Sequence, residues 1–261
     1  MKQTSSTAQS RAPVALVTGA GKRLGRAIAL GLAQAGWDVA VHYRQSEAEA
    51  RSAVAEIEAL GRRAVALRCD LSDAAQVRQL AAQAAAALGP LGCVVNSASQ
   101  FEYDSAADFS PALLAAHMQA NVAAPILLAQ ALHAATAPGS QAVVINLLDQ
   151  KLYNLNPDYL SYTLSKAALQ AATTMLAQAL APTVRVAAVA PGLTMVSGEQ
   201  TEAGFAQAHQ ATPLGQSSRA GDIVDAVVYL AGARAVTGTT LLVDGGQHLM
   251  PLARDVMFLT K

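Results

Sequence analysis

The chain has 261 residues, 52% of them hydrophobic and 14% charged, and its 18 basic and 18 acidic residues cancel to a formal net charge of zero. That balance gives no electrostatic footprint for nucleic acid, an acidic membrane or a polyanionic substrate, and the length suits one α/β domain on a single core. The polar opening, residues 1–11, carries no apolar core of the kind a secretory signal needs and reads as a disordered tail; no apolar run reaches the roughly 18 residues of a membrane span, so a cytoplasmic protein is expected.

Short β-branched or apolar runs alternate with longer Ala- and Leu-rich segments, the mark of a parallel sheet covered by helices on both faces. The first predicted strand, 14–18, runs into Thr18-Gly19-Ala20-Gly21-Lys22-Arg23-Leu24-Gly25 and a helix over 23–35. Such a turn lets a pyrophosphate approach backbone N–H groups at a helix N-terminus, although a lone glycine-rich turn is also an ordinary tight loop; the strand-turn-helix context favours the dinucleotide, with Gly19, Lys22, Arg23 and Leu24 as contacts. The second strand, 38–43, ends in His42-Tyr43-Arg44-Gln45-Ser46 before a helix over 48–60. An NAD-selective site would place an acid there; Arg44 can instead fork onto a 2′-phosphate and Ser46 can donate a hydroxyl, so NADPH is the expected cofactor, the plainer reading being a solvated arginine.

The third strand, 64–68, precedes Cys69 and then Asp70-Leu71, which suit the adenine edge, and a helix over 74–87. Cys69 and Cys93 each border an apolar run and read as buried thiols in a reducing compartment. After the fourth strand, 93–96, Asn96-Ser97-Ala98-Ser99 supplies small residues beside a cofactor, followed by Phe101, and a long helix over 113–135 carries Asn121. The fifth strand, 142–147, leads to Asp149, thirteen residues before Tyr162-Thr163-Leu164-Ser165-Lys166 on a helix over 158–181. Tyr162 and Lys166 are four apart and share a helix face, where the ammonium is expected to lower the phenol pKa and make it a usable proton donor. Asp149 is expected to face Tyr162 and to hold and pass protons, its plainer reading being a helix cap or a loop acid.

Pro191-Gly192-Leu193 follow the sixth strand, 185–190, and read as cofactor contacts. The segment 196–218, rich in glycine and polar residues, reads as a mobile flap over a site. A helix over 220–230 and a last strand over 240–243 complete the order. The five histidines are scattered without metal-ligand spacing, so no metal site is expected.

Taken jointly, Thr18-Gly19 with Gly25, Asp70, the Asn96-Ser97-Ala98-Ser99 turn, Asn121, Tyr162 with Lys166, Pro191-Gly192 and Asp244-Gly245-Gly246 resemble the short-chain dehydrogenase/reductase superfamily from Val14 to about His248. Within it the chain is similar to the pteridine reductases. Arg23 replaces the usual second glycine of the turn, Asp149 stands where most members have serine, and His42-Tyr43, Ser99-Gln100-Phe101 and Tyr159 occupy places that family uses for NADPH or pterin. Ser97 departs from the usual Asn-Asn-Ala-Ser, and the arginine after the second strand is displaced by one residue.

The resemblance implies a Rossmann-type, doubly wound α/β fold: a seven-stranded parallel sheet in a single dinucleotide-binding catalytic domain over 12–261. It also implies NADPH-dependent reduction of a dihydropterin of the dihydrobiopterin, dihydromonapterin or dihydrofolate type. Asp149, Tyr162, Lys166 and Asn121 are then catalytic, with Lys166 also holding the nicotinamide ribose. Arg23, Ser99, Phe101 and Tyr159 bind substrate, Phe101 by stacking on the flat pterin unless it only fills core. Homotetramers built through the helices at 113–135 and 158–181 are common in that family. A carbonyl reductase of the same superfamily, acting for example on 3-oxoacyl thioesters, is the first alternative. A silent NADP-binding sensor is the second, and it would be expected to have lost Tyr162 or Lys166.

Overall fold

In the computed structural model, residues 12–196, 202–210, 212–255 and 258 are described. The expected tail 1–11 lies outside them, as do 197–201 and 211 of the expected flap. Seven strands form one sheet: β1 (Val14–Val17), β2 (Asp38–Tyr43), β3 (Ala64–Arg68), β4 (Leu91–Asn96), β5 (Ala142–Leu147), β6 (Val184–Pro191) and β7 (Thr240–Val243). Their order is β3-β2-β1-β4-β5-β6-β7, and every neighbouring pair is parallel. Eight helices accompany them among the described residues: α1 (Arg23–Gln34), α2 (Glu47–Ala59), α3 (Ala74–Leu88), α4 (Pro111–Met118), α5 (Ala124–Ala135), α6 (Leu160–Ala179), α7 (Glu202–Gln210) and α8 (Ala220–Gly232).

The strands read as continuous apolar runs because both faces of the sheet are covered. Alternate side chains part to opposite faces. Ala15, Val17, Val39, Val41 and Val95 pack with Ile28 and Leu32 of α1, Ile57 of α2 and Ile223 of α8. Val14, Leu16, Ala40, Val94 and Val144 pack with Leu80 of α3 and Leu128 of α5 on the other face. Gly31 on α1 lets α8 approach, since any Cβ there would strike Val224.

Several elements differ from the sequence reading, each for a local reason. The helix expected over 113–135 is broken by a π turn at Gln119–Ala123, which widens the backbone where Asn121 is drawn off to bond neighbouring segments. Helix α6 starts at Leu160 because Tyr159 is held in the left-handed region, φ 55°. The run Pro111–Ala135 is, by length and composition, apolar enough to cross a membrane, contrary to the expectation that none would be. Part of that apolarity is used internally, as α5 packs on α3 and α4 on α6. The expected flap contains α7, and its end is packed, with Ser217 and Ser218 buried.

One contact fixes the geometry of the first turn. His42, at the end of β2 and 2% exposed, accepts the Gly19 N–H at Nδ1 (3.0 Å) and donates from Nε2 to the Cys69 carbonyl (3.1 Å). Those roles require the neutral ring, and burial lowers its pKa to about 4, against weaker raising contributions from Cys69 and Asp70. The unfolded chain therefore takes up this proton first as pH falls. Stability contributed by neutral His42 is complete above about pH 6.5 and is lost towards about pH 4. Chemical denaturation at pH 7 and pH 4 should show a loss on the order of 3 kcal/mol from this group, at ~1.4 kcal/mol per unit. His42→Gln should flatten that dependence; an unchanged slope would remove His42 from the account.

Candidate active site

The strand order reverses between β1 and β4, and the loops leaving these strands diverge to opposite faces, opening a crevice at the carboxyl edge. The Thr18 hydroxyl spans the divergence, accepting the N–H groups of Ser97 and Ala98 at 3.0 Å each. The crevice is a cavity of about 610 Å³ with Gly19, Lys22, Arg23 and Leu24 of the glycine turn along it. A side chain at Gly25 would run into the Gly19 carbonyl and one at Gly19 would meet Ala98, so the backbone approaches here as a bound pyrophosphate requires.

Tyr43, Arg44 and Ser46 line its far end with Asp70 and Leu71. Asp70 is fixed by Ser72, whose hydroxyl and N–H hold its carboxylate below the ordinary range. Lys22 is half-exposed and paired with Glu49 at 2.6 Å. His42 also borders the crevice, but both ring nitrogens are committed to backbone, so it holds the turn.

A second cavity of about 350 Å³ adjoins the first and shares Arg23, Leu24 and Ser99 with it. Here Tyr162 donates its hydroxyl proton to Asp149 Oδ2 at 2.9 Å. Asp149 also caps the short 3-10 turn Gln150–Tyr153, accepting the Lys151 N–H at 2.9 Å, so the cap reading and the pairing with Tyr162 both hold. Burial pushes the Asp149 carboxyl above the ordinary range and the charge of Asp255 adds to the rise, against hydrogen bonds from Lys151 and Tyr162.

The expected lowering of the Tyr162 pKa is not found. Burial and the adjacent Asp149 charge push it well above the usual phenol value. Lys166 is not on the hydroxyl: its ammonium donates to the Leu147 carbonyl at 2.8 Å and lies 5.6 Å from the Tyr162 ring centre, and burial lowers its own pKa to about 8. Tyr162 and Asp149 thus form one hydrogen-bonded pair in which burial favours the protonated form of each.

Phe101 lies parallel to Tyr159, with ring centres 4.5 Å apart, and edge-on to Tyr162 at 4.7 Å. Being 43% exposed, it walls the cavity and is not core filling. Arg23 and Tyr159 are the non-glycine residues with positive φ among those described, at 51° and 55°, and both line this cavity. Such backbone costs about 1–3 kcal/mol per residue, and strain of this kind clusters at ligand sites. Pro191, Gly192 and Leu193 close its floor, and the Leu193 N–H is fixed by Gln247 at 2.9 Å.

Asn121 and Asn96 stand apart. The Asn121 amide is spent on scaffold, donating to Gln100 O (3.0 Å) and Ser165 Oγ (2.9 Å) and accepting from Gln100 N (2.7 Å) and Ser99 Oγ (3.2 Å). Expected to be catalytic, it is 1% exposed, lines neither cavity and is bonded to Ser99, Gln100 and Ser165. Asn96 turns inward to Asn146 at 2.8 Å and joins strand ends, not the crevice.

Several lining residues were not read from sequence, Arg68, Lys151 and Asp255 among them. Arg68, the last residue of β3 and the register partner of Tyr43, borders a surface cavity with Arg44 and Asp70; its place two residues before Asp70 was an available signal. Lys151 and Asp255 line the Asp149 cavity, and no motif or spacing marks them.

Comparison with known proteins agrees with this geometry. Residues 19–248 match the family described as Enoyl-(Acyl carrier protein) reductase. An uncharacterized oxidoreductase of Methylorubrum extorquens is 36% identical, covering 89% of this chain and 96% of its own. The 3-oxoacyl-[acyl-carrier-protein] reductase FabG of Staphylococcus aureus is 31% identical, over 90% and 98%. A crystal structure of FolM alternative dihydrofolate reductase 1 from Brucella canis, complexed with NADP, superposes with a TM-score of 0.88 at 37% identity, covering 93% of this chain and 96% of that one. With the sheet order, the glycine turn and the Tyr162/Lys166 face in place, the chain belongs to this family of short-chain dehydrogenase/reductase oxidoreductases.

Proposed function

We propose that the protein is an NADPH-dependent reductase of dihydropterins. The observation that carries the reading is the 2.9 Å hydrogen bond between Tyr162 and a buried Asp149 in an aromatic-walled cavity beside a dinucleotide crevice. The crevice fits the cofactor: the glycine turn presents backbone where any Cβ would collide, and Arg44 with Arg68 offers two guanidiniums to a 2′-phosphate. When bound, NADPH supplies the hydride. The similarity to an NADP-complexed alternative dihydrofolate reductase supports both cofactor and substrate class.

Reduction of a ring C=N bond needs a proton at nitrogen to match the hydride at carbon. Asp149 holds that proton because burial favours its neutral form, and passes it directly or through the Tyr162 hydroxyl, with solvent restoring it. Lys166, anchored on Leu147 O, holds the ribose, and Phe101 with Tyr159 offers an aromatic wall to a flat bicycle. Arg23, shared by both cavities, joins cofactor phosphate to pterin edge, and Ser99 meets the rim. The FabG relative favours a second reading, a carbonyl reductase, against which stands Asp149 in place of a hydroxyl. Assembly into tetramers is supported by Leu164 and Met175, 45% and 67% exposed on α6.

NADPH oxidation should be seen with dihydrobiopterin, dihydromonapterin or dihydrofolate and not with simple ketones; turnover of ketones alone would overturn the reading. Asp149→Ser should lower kcat/KM for the pterin on the order of 100-fold with NADPH affinity retained. Because the protonated carboxyl is the working form, activity should fall as pH rises through its elevated pKa, and Asp149→Asn should abolish that limb. Removing Arg44 or Arg68 should weaken NADPH binding about tenfold in fluorescence titration while leaving NADH nearly unaffected; equal losses for both would exclude phosphate recognition. Light scattering should report four chains, and glutamate at both Leu164 and Met175 should reduce that mass.

A further inference from the structure

We propose that Asp255, carried on a C-terminal strap and lining the substrate cavity, is a specificity-determining residue whose fixed charge selects neutral, hydrogen-bond-donating substrates over anionic ones. The inference deepens the reading above and rests on it for the pterin substrates used in its test.

The strap is built to hold this side chain in place. Arg254 forks onto Asp158, with Nε 3.0 and 2.8 Å from the two carboxylate oxygens and Nη2 2.8 Å from Oδ1. The Asp255 N–H donates to the same carboxylate at 2.7 Å. Asp158 is 3% exposed and directly precedes the strained Tyr159, so the strap is tied to the residue that sets the aromatic wall. Phe258 completes the tie, its ring centre 5.5 Å from Tyr103 and 6.2 Å from Tyr159, with the Arg254 guanidinium 4.8 Å from it.

So anchored, Asp255 turns inward. Its Oδ2 lies 3.1 Å from Lys151 Nζ, whose side chain is 4% exposed and also donates to the Asp158 carbonyl at 2.5 Å. Asp255 lines the same cavity as Asp149, Tyr162 and Phe101, and its charge is felt at both members of the hydrogen-bonded pair. The cavity therefore carries a second acidic side chain on the strap, in addition to the Asp149 carboxyl that follows β5. Of the cations lining this cavity, Arg23 is shared with the cofactor crevice, and the Lys166 ammonium is bonded to the Leu147 carbonyl.

A carboxylate accepts hydrogen bonds and donates none, so it favours the N–H and O–H groups of a hydroxylated side chain or an amino-pyrimidine edge and opposes a second carboxylate. Specificity is a difference of affinities, and a fixed like charge supplies the repulsive part. Lys151 beneath the strap limits that repulsion, so the two side chains should act in opposite senses.

The test compares kcat/KM for matched neutral and anionic substrates: dihydrobiopterin against dihydrofolate, and ethyl acetoacetate against acetoacetate. Asp255→Asn keeps the shape and an acceptor for Lys151 while removing the charge. It should lower the neutral-to-anionic ratio at least tenfold, chiefly through a lower KM for the anion, with NADPH affinity unchanged in fluorescence titration. Lys151→Gln should move the ratio the other way. An unchanged ratio in Asp255→Asn for whichever pair is turned over would overturn the inference. Wild-type turnover of the ketone pair alone would overturn the pterin reading while that pair still decides Asp255, and turnover of neither pair would overturn both.

Discussion

A parallel sheet delivers every strand to the same edge, and here the order reverses between β1 and β4, so the chain must leave those two strands in opposite directions. A crevice at that edge is therefore a property of the topology. Thr18 holds the two departing loops at a fixed spacing through Ser97 and Ala98, and His42 holds the glycine turn against the end of β3. The remaining features of the site are placed relative to these ties.

The working corner concentrates burial at three ionisable groups, Asp149, Tyr162 and Lys166, and burial moves each towards its neutral form. Pairing limits the cost: Tyr162 donates to Asp149, and Lys166 donates to the Leu147 carbonyl. A carboxyl and an ammonium whose charged forms burial disfavours, with a phenol hydrogen-bonded to the acid, suit proton transfer better than they suit stability. The left-handed backbone at Arg23 and Tyr159 belongs to the same balance, strain at the cavity being sustained by the packed sheet behind it.

The strands were legible because burial on both faces leaves apolar runs bounded by turn residues, and all seven lie within a few residues of their expected positions. Helix interiors were legible for the same reason, but their interruptions were not. The π turn at Gln119–Ala123 carries no composition signal, since it follows from Asn121 bonding Gln100 and Ser165 on other elements. The apolar run Pro111–Ala135 misleads in the other direction, because a helix packed on neighbours along one face and one crossing a membrane can have similar composition. The packed end of the 196–218 segment likewise depends on Gly192 and Asp244, contacts that no local pattern announces.

By itself the sequence determined the alternation of strands and helices, the glycine turn, the absence of an acid after β2 and the helical spacing of Tyr162 and Lys166. These are local properties, set by side-chain period and backbone freedom within a few residues. Only the tertiary structure decided which way the polar groups face. It turned Lys166 to a carbonyl instead of the phenol, committed Asn121 to scaffold, made Asp149 both cap and proton partner, and brought Asp255 from the far end of the chain to Lys151. Charge state and hydrogen-bond direction depend on burial and on partners distant in sequence, and both exist only once the sheet and its covering layers have closed.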